Sequence, residues 1–527
     1  MFGISQRAWL LAMFSAILQI LIFPLPDLYL LSWVAVAPLL IAILRACRPA
    51  TLQLEGAGKL LPASAKQGFL LGYVCGILWY GGTCYWVFNT MKQYGGIGTL
   101  GAAGLLVLFC LYLALYHGAF GLVISLLARK SERTALVLAP LVWVAIEFAR
   151  TRISGFPWDL LGTTQVDNIP LARIATYAGV YGISFEIIVV NTAIAAAFVV
   201  PRPRRRALLL VSLSAAVLLQ AARWVPAPAF PTDHTAVLVQ ENVPVLEGAD
   251  WTRQYYDDTL VELSRLSVSS ATQSHANLIV WPESPSPFYT GDPLFRSALS
   301  QIAGGSNVWI VAGSIGVQNA EVSQQRPTEV FNSAALVGPD GKWDGRYDKI
   351  HLVPFGEYVP FKRLLGFAGG LTKEVGDFSR GTSRAPLEAG DERLGVFICY
   401  ESVFPDEVRR FANRGAQVLV NISNDGWYGD SGAYAQHLKQ ARMRAVENAR
   451  WLLRATNTGV TAAIDPYGRV VQQVPRKTRT ALVASYALEN GTTFYTRHGD
   501  WLAYACAIIS LGAIIASFTP GKGKPTA

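Results

Sequence analysis

The sequence predicts two parts of different kind: a membrane bundle of about eight apolar helices and an extracytoplasmic α/β domain. Three observations predict it. The chain has 527 residues, too many for one compact domain, and 52% are hydrophobic, too many for a wholly soluble protein. Apolar stretches of about 20 residues, long enough to cross a bilayer, crowd the first 225 positions and recur once near the C-terminus. Between them lies a long polar segment in which short β-branched runs alternate with helix-compatible ones.

The apolar stretches fall near 8–25, 28–46, 67–90, 99–128, 134–151, 171–200 and 206–224, with the last from about Trp501 to Phe518. The first lacks a small-residue cleavage site and runs straight into another span, so it reads as an anchor and not as a removed leader. The net charge is +9, but much of the basic excess sits in short loops between apolar runs. That is a topology signal and implies no nucleic-acid partner. Arg7, Arg45, Arg48, Lys59, Lys66, Arg129, Lys130, Arg133, Arg202, Arg204, Arg205, Arg206, Lys522 and Lys524 fall on one side of the alternating loops. Lys92, Arg152 and Arg173 are the sparse opposite set. Basic loops stay in the cytoplasm. The expected organisation is therefore a seven-helix membrane domain over 1–224, an outward-facing domain over 225–499, and a final span and cytoplasmic tail over 500–527. Glu147 and Glu186 lie inside spans, where a carboxylate facing lipid is costly, so both should face the bundle or a polar cavity.

In the polar segment the strand candidates are Ala236–Gln240, Leu278–Trp281, Val308–Ala312, Ser333–Val337, Leu394–Cys399, Val418–Ile422, Trp451–Ala455, Thr461–Ile464 and Thr480–Ser485. Helix candidates are Trp251–Leu266, Pro293–Ile302, Pro405–Arg414 and Ala433–Arg450. Of the six cysteines only Cys399 lies in this segment, so no disulfide can staple it and its stability must come from its core. No phosphate-binding glycine loop, internal repeat or zinc-type spacing is present, and no metal or cofactor is implied.

Three polar residues close or follow apolar runs. Glu283 ends Leu278-Ile279-Val280-Trp281-Pro282-Glu283, Lys349 lies in Tyr347-Asp348-Lys349-Ile350-His351, and Cys399 ends Gly395-Val396-Phe397-Ile398-Cys399 before Tyr400-Glu401. Each alone has a plain explanation: a solvated carboxylate, a surface cation, a small buried hydrophobe. Together they make a set for acyl transfer, with a general base, a cation for developing negative charge and a nucleophile. A helix beginning at Cys399 would favour the thiolate.

These segments resemble the Glu-Lys-Cys motifs of the nitrilase superfamily, joined to membrane spans as in its bacterial apolipoprotein N-acyltransferase branch. Further similar runs are Asn421-Ile422-Ser423-Asn424-Asp425-Gly426-Trp427-Tyr428, Gln436-His437, Ala441-Arg442-Met443-Arg444-Ala445 and Arg454-Ala455-Thr456-Asn457-Thr458-Gly459. The resemblance implies an αββα sandwich facing the periplasm of an inner-membrane, monomeric enzyme. It also implies a ping-pong reaction in which Cys399 takes an acyl chain from a phospholipid, typically phosphatidylethanolamine, and passes it to a diacylated apolipoprotein. Glu283 would be the base and Lys349 the oxyanion cation, helped by the Tyr400 N–H, with Glu357 and Glu401 orienting the set. For Glu401 the alternative is a first-turn carboxylate favoured by a helix dipole.

Trp251 lies in a stretch resembling one that carries a functional tryptophan in the family, and equally suits the apolar anchor of an amphipathic helix. The run through Phe355, Tyr358 and Phe361 to Gly369-Gly370 is too apolar for an ordinary exposed loop. It reads as an arm that touches lipid, and Trp427 and Tyr428 would add to its apolar wall. His437 and Arg442, Arg444 and Arg450 share one candidate helix, where ion-paired faces are commoner than head-group sites. The competing functions are a membrane-tethered amidase using the same three residues, a transporter, and a non-catalytic interaction protein. A transporter should display paired hydropathy halves with broken helices, which the sequence lacks, and an inert protein leaves the Glu-Lys-Cys set unexplained.

Overall fold

The computed structural model describes residues 3–47, 60–200, 202–245, 251–283, 286–318, 329–358 and 378–518. The chain divides into two units, one of Met1–Tyr85, Ala103–Pro226 and Asp500–Ala527, the other of Trp86–Ala102 and Ala227–Gly499.

The first unit is helical. Among the described residues five helices are long and apolar enough to cross a membrane: Thr99–Lys130, Glu132–Ser154, Ala175–Val199, Arg204–Trp224 and Trp501–Phe518. That is fewer than the eight spans expected: Gln6–Leu21 is apolar but short, and the stretches near 28–46 and 67–90 are each divided. The stretch near 28–46 holds Pro38 and forms two short pieces, Tyr29–Trp33 and Ala37–Leu44. Its broken backbone is satisfied internally, as apolar surroundings require. Asn191 Oδ1 accepts from the Val36 and Ala37 N–H groups at 2.8 and 2.9 Å, and its Nδ2 donates to the Ser32 carbonyl at 2.8 Å. The stretch near 67–90 stops at Thr83, and Trp86–Gln93 is a separate helix belonging to the second unit.

Small residues set the closest packing in this unit. Gly68, Gly72 and Gly76 recur every four residues along Ala65–Thr83 and meet the backbone of Thr99–Lys130. A Cβ at Gly72 would stand 2.1 Å from the His117 carbonyl oxygen, and one at Gly121 would stand 2.1 Å from that of Gly68. The seam therefore excludes alanine. Glu147 is buried, with Oε1 accepting from the Leu161 N–H at 2.8 Å, while Arg150 donates to the Tyr80 hydroxyl at 3.1 Å. Glu186 is half-buried.

The second unit is built on two six-stranded sheets. In chain order the strands are β1 (His234–Gln240), β2 (Leu278–Val280), β3 (Trp309–Gln318), β4 (Glu329–Val337), β5 (Trp343–Asp348), β6 (Leu387–Ala389), β7 (Glu392–Ile398), β8 (Val418–Ser423), β9 (Leu452–Thr456), β10 (Ala462–Ile464), β11 (Val470–Gln473) and β12 (Thr480–Tyr486). One sheet runs β12-β1-β2-β3-β4-β5 and the other β11-β10-β9-β8-β7-β6. Strands β1, β2 and β3 are mutually parallel, as are β7, β8 and β9.

Side-chain alternation sorts each strand between two cores. Ala236, Leu238, Leu278, Val280 and Val311 enter one cluster with Val396, Ile398, Val420 and Leu453 of the other sheet. Val237, Val239, Ile279, Ile310 and Ala312 face the other way, against helices Arg253–Ser274 and Pro293–Ser306. The arrangement is a sheet-on-sheet sandwich with helices outside, including Pro405–Asn413 and Ala433–Asn448 against the second sheet. Helix starts follow local chemistry. The Thr252 hydroxyl accepts from the Tyr255 N–H, and Asp292 accepts from the Leu294 N–H with Pro293 as the first helical residue. All nine strands expected from sequence are present, together with β5, β6 and β11.

Candidate active site

Parallel strands leave their carboxyl ends on one edge of a sheet, where ligand sites in α/β folds gather. Glu283 follows β2, Cys399 follows β7, Asn424 and Asp425 follow β8, and Asn457 follows β9. Lys349 follows β5, and its N–H donates to the Asn332 carbonyl of β4 at 2.8 Å.

Lys349 is 1% exposed, so its charge must be answered inside the protein. Its Nζ donates to Glu283 Oε1 at 3.1 Å and to Glu357 Oε1 at 2.9 Å. The Asn332 Nδ2 spans the same two oxygens at 2.7 Å each. Glu283 Oε2 takes the Asn424 N–H at 2.8 Å, and Glu357 Oε2 takes the Val353 N–H at 2.7 Å. Both carboxylates are therefore held by donors at each oxygen. Burial alone would push the Glu283 carboxyl up, but the Lys349 ammonium, the Asn332 amide and the Asn424 N–H outweigh it and hold it below the usual range. Burial would lower Lys349, and the Glu283 and Glu357 charges instead hold it well above its ordinary value.

Cys399 has a φ of 50°, in the left-handed region a side chain rarely adopts. It opens a short 3₁₀ turn, Cys399–Val403, and not the full helix that would have favoured a thiolate. Burial first, then the Glu283 charge, push the thiol up, and Lys349 and the Ser423 hydroxyl pull back without reversing the shift. At rest the group is a thiol, so a base must take its proton.

Glu401 ties this turn to the lysine loop. Its Oε1 accepts from the Ile350 and His351 N–H groups at 2.7 and 3.1 Å, and its Oε2 accepts from the Ile398 N–H at 2.7 Å. The Tyr347 hydroxyl reaches both oxygens, at 2.8 and 2.9 Å. Such charge-assisted bonds are the strong kind, and here one carboxylate fixes the backbone on both sides of the site. Burial raises the Glu401 carboxyl against these donors.

The other residues singled out from sequence occupy several environments. Tyr400 is buried, with its ring edge-on to Phe404 at 5.2 Å. Tyr428 is buried close enough to Cys399 and Glu283 for their charges to help raise its phenol, after burial itself. Trp427 is half-buried, its carbonyl accepting from Thr90 Oγ1 at 2.9 Å and its ring meeting Tyr94 at 5.1 Å. Phe355 and Tyr358 are half-buried in a tight turn, where the Phe355 N–H donates to the Tyr358 carbonyl at 2.8 Å. Phe361 and the rest of the expected arm lie outside the described residues. Trp251 lies against Tyr255 and packs on the outer helical core, as a helix anchor does.

Sequence reasoning passed over Asn332, and named Ser423 and Asn424 only within a family-like run, without a role. Asn332 stands one residue before the strand expected at Ser333, and nothing local marks it: its partners are 49 and 25 residues away in the chain.

The two-sheet sandwich is matched over residues 239–494 by the family model described as Carbon-nitrogen hydrolase. A second model, Apolipoprotein N-acyltransferase N-terminal domain, matches residues 15–193. The apolipoprotein N-acyltransferase of Geobacter metallireducens is 35% identical over 98% of this chain and 96% of its own length. That of Methylococcus capsulatus is 36% identical over 84% and 86%. The chain belongs to the apolipoprotein N-acyltransferase family. Among solved structures, a carbon-nitrogen hydrolase from Helicobacter pylori matches at 18% identity and a TM-score of 0.36, over 48% of this chain and 88% of that one.

Proposed function

We propose that the protein moves an acyl chain from a membrane phospholipid to the α-amino group of the N-terminal diacylglyceryl-cysteine of a lipoprotein, through a thioester on Cys399. The observation that carries this reading is the buried Lys349 ammonium shared by Glu283 and Glu357, in a chain related over its whole length to acyltransferases of lipoproteins.

In the first half-reaction the Glu283 carboxylate takes the thiol proton and the sulfur attacks the ester carbonyl. The tetrahedral oxyanion is held by Lys349 and the Tyr400 N–H. Collapse breaks the ester C–O bond, and the lysophospholipid oxygen leaves with the proton from Glu283. In the second half the amine attacks the thioester, its proton passes to Glu283, and the Cys399 sulfur departs and is reprotonated. Glu357 and Glu401 hold Lys349 and the turn in place. Phe355, Tyr358, Trp427 and Tyr428 form an apolar wall for acyl chains, and Trp251 anchors its helix.

The donor is phosphatidylethanolamine, and the protein acts as a monomer. Eight spans, some short or broken, hold the 225–499 domain on the periplasmic side of the inner membrane between the 1–224 and 500–527 segments. The count of basic loop residues supports this orientation.

Intact-protein mass spectrometry after incubation with phosphatidylethanolamine tests the reading. A fatty-acyl increment that hydroxylamine removes and Cys399→Ala lacks is expected. Hydrolysis of a short amide by folded protein that never acquires the increment would favour the amidase.

A further inference from the structure

A second buried polar cluster backs the nucleophile turn, and the acyl-transfer steps leave it without a task. His437, on helix Ala433–Asn448, is 0% exposed. Its Nε2 lies 3.1 Å from the Cys399 carbonyl oxygen and 2.7 Å from Ser402 Oγ. Its Nδ1 lies 3.0 Å from Asp425 Oδ1 and 3.1 Å from Arg454 Nη2. Asp425 also accepts from Ser423 Oγ at 2.8 Å and from Arg454 Nη2 at 3.1 and 2.9 Å, one to each oxygen. Arg454 Nη1 donates to Asn421.

Ser402, His437 and Asp425 have the outline of a serine nucleophile with its base and orienting acid. Ser402 is 0% exposed and Cys399 5%, and it is Cys399 that stands with Glu283 and Lys349, so the acyl-transfer reading gives the hydroxyl no attack to make. The cluster meets the reacting residue at two places, the thiol through Ser423 and the backbone carbonyl through His437, and only His437 holds the backbone. A trans peptide is planar, with its C=O and N–H pointing opposite ways. Whatever fixes the Cys399 carbonyl therefore fixes the direction of the Tyr400 N–H. The fixing is needed because Cys399 sits at a φ of 50°, a conformation that persists only when its surroundings impose it.

Of the two atoms facing Nε2, the Ser402 hydroxyl can donate or accept, whereas the Cys399 carbonyl oxygen at 3.1 Å can only accept, so a proton on Nε2 satisfies both. Nδ1 is served in either remaining state. Bare, it accepts from Arg454; protonated, it donates to Asp425.

We infer that His437 is a positioning residue for acyl transfer, whose Nε2–H holds the Cys399 carbonyl and thereby aims the Tyr400 N–H at the oxyanion. The inference rests on the acyl-transfer reading, because it needs that N–H to face a tetrahedral intermediate.

The test is single-turnover formation of the Cys399 thioester by the full-length protein with phosphatidylethanolamine vesicles, comparing wild type, His437→Leu, His437→Gln and His437→Asn. Thermal unfolding of each variant is measured alongside. A glutamine amide can place a donor where Nε2 stands, and an asparagine amide reaches only as far as Nδ1. In His437→Leu the acylation rate should fall about a hundredfold, as when an oxyanion donor is lost, with the lipid concentration for half-maximal rate unchanged. His437→Gln should return to within about tenfold of wild type, and His437→Asn should not. If the leucine variant does not fold, the glutamine and asparagine variants decide the matter by themselves. Equal rates in those two, or a loss confined to lipid affinity, would overturn the inference while leaving the thioester standing. A wild-type protein that forms no thioester would overturn the acyl-transfer reading, and the inference with it.

Discussion

Two buried polar clusters flank Cys399, and they differ in what they hold. Around Lys349 the donors and acceptors are side-chain atoms of Glu283, Glu357 and Asn332, and two carboxylates share one ammonium. Around His437 the charges of Asp425 and Arg454 answer each other directly, and the imidazole's outward contact is to a backbone carbonyl. On the proposed reading the first cluster passes a proton and meets new negative charge, and the second keeps a strained turn still. Charged groups are buried in both, and Arg454 Nε in the second is left without a hydrogen-bond partner among the described residues, so burial by itself does not mark chemistry.

Substitutions in the two clusters should therefore separate rate from stability. The largest effect is expected in the first, where Glu283→Gln should slow thioester formation about 10²- to 10⁴-fold and Lys349→Met about 10²- to 10³-fold, measured by acyl-enzyme mass increments over time. Asp425→Asn should act mainly on the fold. It strips the Arg454 guanidinium of its counter-charge inside the protein, at a cost of about 3–5 kcal/mol, read as a lowered midpoint of thermal unfolding. A comparable loss of midpoint in Glu283→Gln would erase the distinction.

Asn332→Leu isolates one donor. The amide favours the charged form of Glu283, so its removal raises that carboxyl, and the acid limb of the acylation rate should move to higher pH by about one unit. An unmoved limb would mean that Lys349 and Asn424 suffice. The smallest effect concerns Glu241, just past β1, whose Oε2 has no hydrogen-bond partner. Burial pushes its carboxyl up to about 8, against a partial pull from Arg479. The folded state thus keeps a proton that the unfolded chain sheds near pH 4.3, and stability should drain away as pH rises from about 4.3 to 8. Glu241→Gln should flatten that slope in unfolding measurements at pH 5 and 8. The contrast with Glu283 is instructive, since the same burial with a cation beside it gives the opposite shift.

What could be read from the sequence follows the same division between what is buried on both faces and what is not. The strands that escaped notice, β5, β6 and β11, all lie at sheet edges. In β5 only Tyr347 is buried, and in β11 no residue is, so neither presents an apolar run. β12, also an edge, was readable because Ala481-Leu482-Val483-Ala484 keeps one. Glu283 and Cys399 could be read because each terminates an apolar run, and Lys349 because it stands two residues past buried Tyr347 in a recognisable motif. Asn332 and the His437 cluster could not, because their meaning is made by strand pairing and helix packing far along the chain. The spans were bounded less well than the strands for a related reason: hydropathy sums apolar surface and passes over the break before Pro38 and the end of a helix at Thr83.

The backbone at Cys399 carries one more consequence, for how this chain can change over generations. A side chain in the left-handed region is disfavoured by roughly 1–2 kcal/mol, but the Cys399 side chain is also buried in the core between the sheets, and glycine would forfeit that packing. The two terms oppose each other, so a change to glycine relieves the turn while it hollows the core. On the proposed reading the same single change would leave the outline of the enzyme around an inert turn.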